Sequence, residues 1–279
     1  MATPLTADQM LAALRAEGLR LVEHPGWRTH NRGSRGDGWG PVHGVIIHHT
    51  GGTAPSDGQI VWEGRADLPG PDAHAYLAKD GTTTFTGCGR ANHAGGGDGS
   101  VLQAVIDESY GARPPAPHKH EGSPGAVDGN ARFYGLECSD RGTGTAWPAV
   151  QYDAAVRWAA AICRAHGWTE KSVIGHKEWS DWKPDPAAFD MADFRKDVAA
   201  RLAHPASWTP GAPTNTPSKE DDMQAIDVWA YKGKTANGKQ DPSDAYAYLR
   251  GTRAEVETLR KEVATLTALV QKLVTVKGA

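Results

Sequence analysis

Residues 42–50 read Val42-His43-Gly44-Val45-Ile46-Ile47-His48-His49-Thr50. A short β-branched run of this kind predicts a buried strand. Side chains alternate across a strand, so His48 and His49 must point to opposite faces, and only one of them can reach a given metal. A second short apolar run, Ser172–Gly175, ends in His176. A third segment is Trp182-Lys183-Pro184-Asp185-Pro186. Pro184 biases Lys183 towards an extended conformation. In an extended segment, residues two apart face the same way, so Lys183 and Asp185 can address one site. Two histidines and a carboxylate, with no fourth protein ligand in evidence, fit a catalytic zinc centre with an open position for water, which points to a hydrolase. His49, His74, His93 and Asp181 compete for the ligand positions.

The rest of the first two hundred residues supplies a frame for such a site. Thr6 followed by Gln9 reads as a capping box opening a helix over Ala7–Glu17, with Met10, Leu11, Leu14 and Leu19 as an apolar face that packs on the main domain. Ala73–Lys79 and Thr82–Thr86 flank Asp80-Gly81, a hairpin signal. Phe133–Ser139 reads as another strand. Val150–His166 carries Val156, Ala159, Ile162 and Cys163 at helical core spacing, and Met191–Ala203 is a further helix. Strands mixed with helices predict an α/β domain with a central mixed β-sheet flanked by helices. Gly95–Asn130 interrupts it with a helix-like piece, Val101–Glu108, and a Pro/Gly/His-rich loop carrying His118 and His120. That loop reads as solvated rather than as a second metal site.

Composition limits the alternatives. The formal net charge is −3 and the charges are mixed, so no basic stripe points to nucleic acid. Cys88, Cys138 and Cys163 are odd in number and widely spaced, which predicts reduced thiols. The N-terminus lacks the pattern of a secretory signal, and no apolar run approaches a membrane span. The expectation is a protein made in the cytoplasm without a signal peptide and without membrane insertion.

The predicted organisation is a helical arm over 1–24, a catalytic domain over 25–205, a Pro/Thr-rich linker over 206–222 and a helical module over 223–279. Short helices are expected over Ala225–Tyr231 and Ser243–Leu249. Leu249, Val256, Val263 and Val270 then fall at heptad a, and Leu259, Leu266 and Leu273 at d. This favours a parallel two-stranded coiled coil over 249–276, with Glu255 at g facing Arg260 at e of a second copy. The competing reading is an amphipathic helix packed on its own domain. Met223 is either the first residue of a helix or an internal start, preceded by Lys219-Glu220 and Asp221-Asp222, that yields a free accessory chain.

Six segments carry a family resemblance: Ile46–Gly52 (IIHHTGG), His74–Thr82 (HAYLAKDGT), Asn92–Gly96 (NHAGG), Phe133–Glu137 (FYGLE), Val173–Trp179 (VIGHKEW) and Lys183–Pro186 (KPDP). In this order and spacing the chain resembles the zinc-dependent type-2 N-acetylmuramoyl-L-alanine amidases, the group that includes peptidoglycan recognition proteins and many phage endolysins. The match spans roughly residues 42–190, about half the chain. The resemblance implies Zn2+ held by His48, His176 and Asp185. It implies Glu137 as the carboxylate that moves protons between the attacking water and the leaving amine, and Lys183 as oxyanion stabiliser. His93 matches the family's substrate-side histidine, and His74 would support the hairpin or the groove wall. Trp179 and Trp182 flank the second and third ligands and either wall the groove or pack. Some relatives carry a tyrosine where this chain has Ala73, which leaves more of the chemistry to Glu137. The implied substrate is bacterial peptidoglycan, cut between N-acetylmuramic acid and L-alanine by an endolysin that acts on the cell wall after release. A non-catalytic peptidoglycan-binding module and a cytosolic wall-recycling amidase are the alternatives.

Overall fold

The computed structural model describes residues 2–34, 36, 38–53, 56–208, 255–256, 258–263 and 265–267. The chain divides into two compact units, Met1–Ala212 and Pro213–Ala279. In chain order the first contains α1 (Ala7–Ala16), β1 (Arg20–Glu23), β2 (Gly44–His49), α2 (Asp57–Glu63), β3 (Ala75–Leu77), β4 (Thr82–Phe85), β5 (Gly96–Gly97), α3 (Gly99–Asp107), β6 (Val127–Asp128), β7 (Phe133–Cys138), α4 (Ala149–His166), β8 (Val173–Gly175), α5 (His176–Trp179) and α6 (Met191–Leu202).

Six strands form one sheet in the order β1-β4-β3-β7-β2-β8. Every pairing is parallel except the β3–β4 hairpin, so the sheet is mixed. The hairpin turns at Asp80-Gly81: Gly81 has φ 81°, and the Asp80 carboxylate accepts the Thr82 N–H at 2.9 Å. β5 and β6 pair separately as a two-residue ribbon inside the 95–130 interruption.

Alternation along the central strands sorts residues between two unequal layers. Val45 and Ile47 of β2, with Tyr134, Leu136 and Cys138 of β7, face the larger core, where they meet Met10, Leu14, Trp158, Ile162, Phe194 and Val198 of α1, α4 and α6. Ile46, Phe133 and Ile174 face the other side and meet a smaller set, Val101, Val105, Ala94, Tyr110 and Trp179, with Leu102, Ala104 and Val127 at its margin. The three longest helices therefore shield one face completely. The second face is covered thinly, by α3, α5 and loops, and this leaves room for a site at its edge.

In the first unit the expected helices and strands appear within a residue or two of their predicted ends. The capping box at Thr6 forms in both directions. Sequence periodicity did not signal β1, α2, α5 or the β5–β6 ribbon, all of them short. β1 is an exposed edge strand whose Arg20 pairs with Asp80 at 2.7 Å, so it lacks an apolar pattern. The arm predicted over 1–24 is continuous with the domain, because α1 packs in its core and β1 pairs with β4.

In the second unit, residues 255–256, 258–263 and 265–267 are helical, and Val256, Leu259, Val263 and Leu266 are exposed. The helices expected at 225–231 and 243–249, the linker from 209 onward, Met223, Leu249, Val270 and Leu273 lie outside the described residues.

One buried ion cluster fastens α1 to α4 and α6. Glu17, fully buried at the end of α1, receives Arg201 at 2.5 Å and Arg164 at 2.9 Å. Removing one partner of a buried pair strands the other charge. Glu17→Ala is therefore expected to destabilise the domain by about 3–5 kcal/mol in denaturant titration. A loss below about 1 kcal/mol, the value of a surface pair, would show that solvent replaces the contact.

Candidate metal centre

The site sits at the carboxyl ends of three adjacent parallel strands, where open α/β sheets bind ligands. His48 lies near the end of β2, Glu137 lies opposite it in register on β7, and His176 follows β8 as the first residue of α5. The loop after α5 returns to the same point: Lys177 donates its N–H to the Asp185 carbonyl at 2.7 Å, which fixes Asp185 beside His176.

His48, His176 and Asp185 converge and are all buried. His48 Nδ1 lies 2.9 Å from His176 Nδ1 and 3.1 Å from Asp185 Oδ2, and His176 Nδ1 lies 3.1 Å from the same oxygen. A tetrahedral ion with bonds of ~2.0–2.1 Å holds its ligand atoms about 3.3 Å apart, so this triangle fits a metal with only slight expansion. Among the described residues no other cluster of histidine, cysteine and carboxylate side chains is close enough to hold an ion. His49 points the opposite way, as alternation requires. Its Nδ1 accepts the Ala187 N–H at 3.4 Å, and its ring fills the space where a Cβ on Gly142 would lie.

Hydrogen bonds fix which nitrogen of each ring is bare. His93 Nε2 lies 2.9 Å from the Phe133 carbonyl, which can only accept, so that nitrogen carries the proton. His93 Nδ1 is then an acceptor, and His48 Nε2 donates to it at 2.9 Å. His48 Nδ1 is left with its lone pair facing the triangle. In the same way His176 Nε2 donates to the Ala94 carbonyl at 3.1 Å and leaves Nδ1 bare. Outer partners of this kind orient metal ligands and set their tautomers. Burial, and then the nearby His176, push His48 down to about 4, so it is neutral at neutral pH. Burial opposes the Asp185 charge, but the adjacent His176 and His48 outweigh it and hold the carboxyl well below the usual carboxylate range.

Glu137 is held differently. Its Oε2 is buried without a partner, and burial, followed by the charges of Asp185 and Asp72, raises its pKa well above the carboxylate range, with Lys183 acting the other way. A cavity of about 80 Å3 beside it is lined by Thr50, Asp57 and Asp72. Asp72 is buried with Oδ1 unpartnered, and burial pushes it up to about 7. Sequence reasoning did not single out Asp72; an acid two residues before His74 looks like ordinary turn chemistry.

A groove of about 890 Å3 runs past the centre and is lined by Arg90, His93, His176, Trp182 and Lys183 among others. The other sequence-predicted residues divide sharply. His74 is fully buried, accepts the Gly135 N–H at 2.9 Å through Nδ1 and stands behind His93 rather than on the groove. Trp179 is also fully buried: its indole donates to the Gly95 carbonyl and fills the space left by the missing side chains of Gly97 and Gly129. Of the two roles open to it, lining the groove or packing, its burial supports packing. His93 reaches the groove with both ring nitrogens engaged. Asp181, a competing ligand, pairs with His120 at 2.7 Å.

Residues 38–188, just over half of the chain, match the Amidase_2 family, N-acetylmuramoyl-L-alanine amidase. The chain belongs to that family. The match contains every residue of the centre. No curated protein sequence matches this amidase. Among solved structures, a selenomethionine derivative of AmpD is 18% identical with a TM-score of 0.41, over 64% of this chain and 94% of that one. The amidase LysC from Clostridium intestinale URNW is 16% identical with a TM-score of 0.41, over 64% and 96%. The Ph2119 endolysin from Thermus scotoductus MAT2119 bacteriophage Ph2119 is 18% identical with a TM-score of 0.39, over 64% and 99%. The assignment rests on the family match, not on these distant likenesses.

Burial also couples the amidase's stability to pH. It lowers His74 from 6.5 to about 3. Between those values the unfolded chain binds the proton that the folded chain refuses, so stability falls as pH falls through that window. His74→Gln is expected to flatten the corresponding part of the unfolding free energy against pH, measured by denaturant titration of metal-free protein. An unchanged slope would remove His74 from the account.

Proposed function

We propose that this protein is a wall-degrading amidase. It hydrolyses the amide bond between the muramoyl lactyl group and L-alanine of bacterial peptidoglycan, with one Zn2+ held by His48 Nδ1, His176 Nδ1 and Asp185. The convergence of those three ligand atoms beside Glu137, in a chain of the N-acetylmuramoyl-L-alanine amidase family, carries the reading. Two imidazoles and one carboxylate suit zinc better than magnesium or calcium, which take oxygen ligands. When bound, zinc supplies Lewis acidity at the scissile carbonyl and lowers the pKa of water.

The chain's own residues divide the remaining work. Glu137 takes a proton from the attacking water and returns one to the leaving alanine nitrogen; its raised proton affinity suits both transfers. Lys183, exposed on the groove beside His176, places a positive charge where the carbonyl oxygen becomes negative. His93 holds His48 in the ligating tautomer. A binding-only module would not need Glu137 and Lys183 at these positions. The role of an endolysin, acting on the wall after release, is the reading that also uses the C-terminal unit. There the exposed Val256, Leu259, Val263 and Leu266 support pairing with a second copy.

Purified protein incubated with peptidoglycan is expected to release new L-alanine amino termini and to stop when zinc is chelated. Release of reducing sugars without alanine termini would overturn the assignment. Glu137→Ala should retain zinc and lose roughly two to four orders of magnitude in rate. Lys183→Ala should lose about two to three. His93→Ala should weaken zinc binding by about 10- to 100-fold in competition with a chelator. Stoichiometric zinc in a His48→Ala, His176→Ala double variant would exclude the ligand set. For the C-terminal unit, light scattering should show an oligomer that becomes a monomer on Leu259→Asp plus Leu266→Asp; a monomeric wild type at micromolar concentration would refute pairing.

A further inference from the structure

We infer that Trp182, stacked on His120, is a sugar-binding platform that seats a pyranose of the glycan strand at the lip of the groove. On this basis the substrate is strand-borne peptidoglycan rather than a single muramoyl peptide. This inference rests on the proposed amidase function and adds a subsite to it.

The first observation is exposure. Trp182 is 67% exposed, and it is the only aromatic residue among the exposed large apolar side chains of the described residues. An indole left in water forgoes a large burial gain, and aromatic rings of this kind mark binding surfaces. The second is orientation. One face of the indole lies on the His120 ring, with centroids 3.4 Å apart and planes 13° apart, so the opposite face is open.

The third is rigidity. His120 Nδ1 meets Asp181 Oδ1 at 2.7 Å, and its backbone N–H donates to Ser123 Oγ at 3.1 Å. The flanking residues are fastened as well. Lys119 accepts the Asp181 N–H at 3.2 Å, His118 donates to Asp98 Oδ2 at 2.9 Å, and the Glu121 carboxylate accepts the Gly96 N–H. The 95–130 interruption is thus tied to the groove wall and to the loop that carries Trp182. A plate held in this way loses little conformational entropy when a ligand settles on it.

Chemistry selects the occupant. A pyranose has one apolar C–H face, which matches the negative face of an indole ring, and a rim of hydroxyl and acetamido groups that need hydrogen-bonding partners. The groove around the plate supplies them in Arg90, Asn92, Glu121 and Ser123. The alanine methyl of the stem peptide needs a small pocket, not a flat plate. Trp182 also precedes Lys183 directly and lines the same groove as His176. The sugar on the plate therefore belongs to the strand that carries the scissile bond.

Calorimetric titration of the full-length zinc-loaded protein with peptide-free glycan strands tests the platform without turnover. Wild type is expected to bind, Trp182→Ala to bind about tenfold more weakly, the scale of one aromatic stack, and Trp182→Phe to fall between them. His120→Ala should also weaken binding, because it frees the plate. In turnover, the wild-type preference in kcat/KM for strand-borne substrate over a single muramoyl peptide should collapse in Trp182→Ala. Equal affinities of wild type and Trp182→Ala for the strands would overturn the inference. So would an equal loss on both substrates, which would mean that Trp182 serves the peptide or Lys183. A wild type that hydrolyses neither substrate would instead overturn the amidase reading, while the titration still reports on the plate.

Discussion

Parallel pairing of β2 with β7 is the constraint on which the centre depends. Its register sets His48 opposite Glu137, and the pleat sends both to the thinly covered face. A one-residue slip would carry His49 to the site and bury His48 among the helices. The slip is opposed on both faces at once. Val45 and Ile47 would have to leave the large core, and Ile46 would have to leave the small one. Apolar packing on both faces, rather than any polar bond at the site, therefore holds the candidate metal-binding geometry in place.

The extent to which this was legible in the sequence follows from the range of each interaction. Alternation along one strand is local, so the opposite orientations of His48 and His49 could be read directly. The spacing of Lys183 and Asp185 around Pro184 is local too; in the structure Lys183 lines the groove and Asp185 contacts His176, which also lines it. The tautomer chain was not legible. It links Phe133, His93 and His48, and nothing in the spacing of those residues says that their rings meet. Trp179 and Trp182 were indistinguishable as sequence, since both sit near the candidate ligands His176 and Asp185. The structure separates them by their surroundings: Gly97 and Gly129 make a slot for Trp179, whereas Trp182 has only His120 on one side.

Charge is handled in two contrasting ways. Glu17 is buried with guanidinium partners that satisfy it, and it serves the architecture. Glu137 and Asp72 are buried with an oxygen each left unpartnered, near other acids. Such groups are expensive to ionise, and a domain with a well-packed core can carry them where their proton affinity is useful.

Gly135 has a larger consequence than its size suggests. It lies on β7 under the His93 ring, and a Cβ there would come within 2.5 Å of that ring. His93 occupies the vacated volume and from there dictates which nitrogen of His48 is bare. The absence of one methyl group thus decides the tautomer of a candidate metal ligand on the neighbouring strand. A side chain at position 135 would displace the His93 ring, although the residue itself makes no polar contact with it.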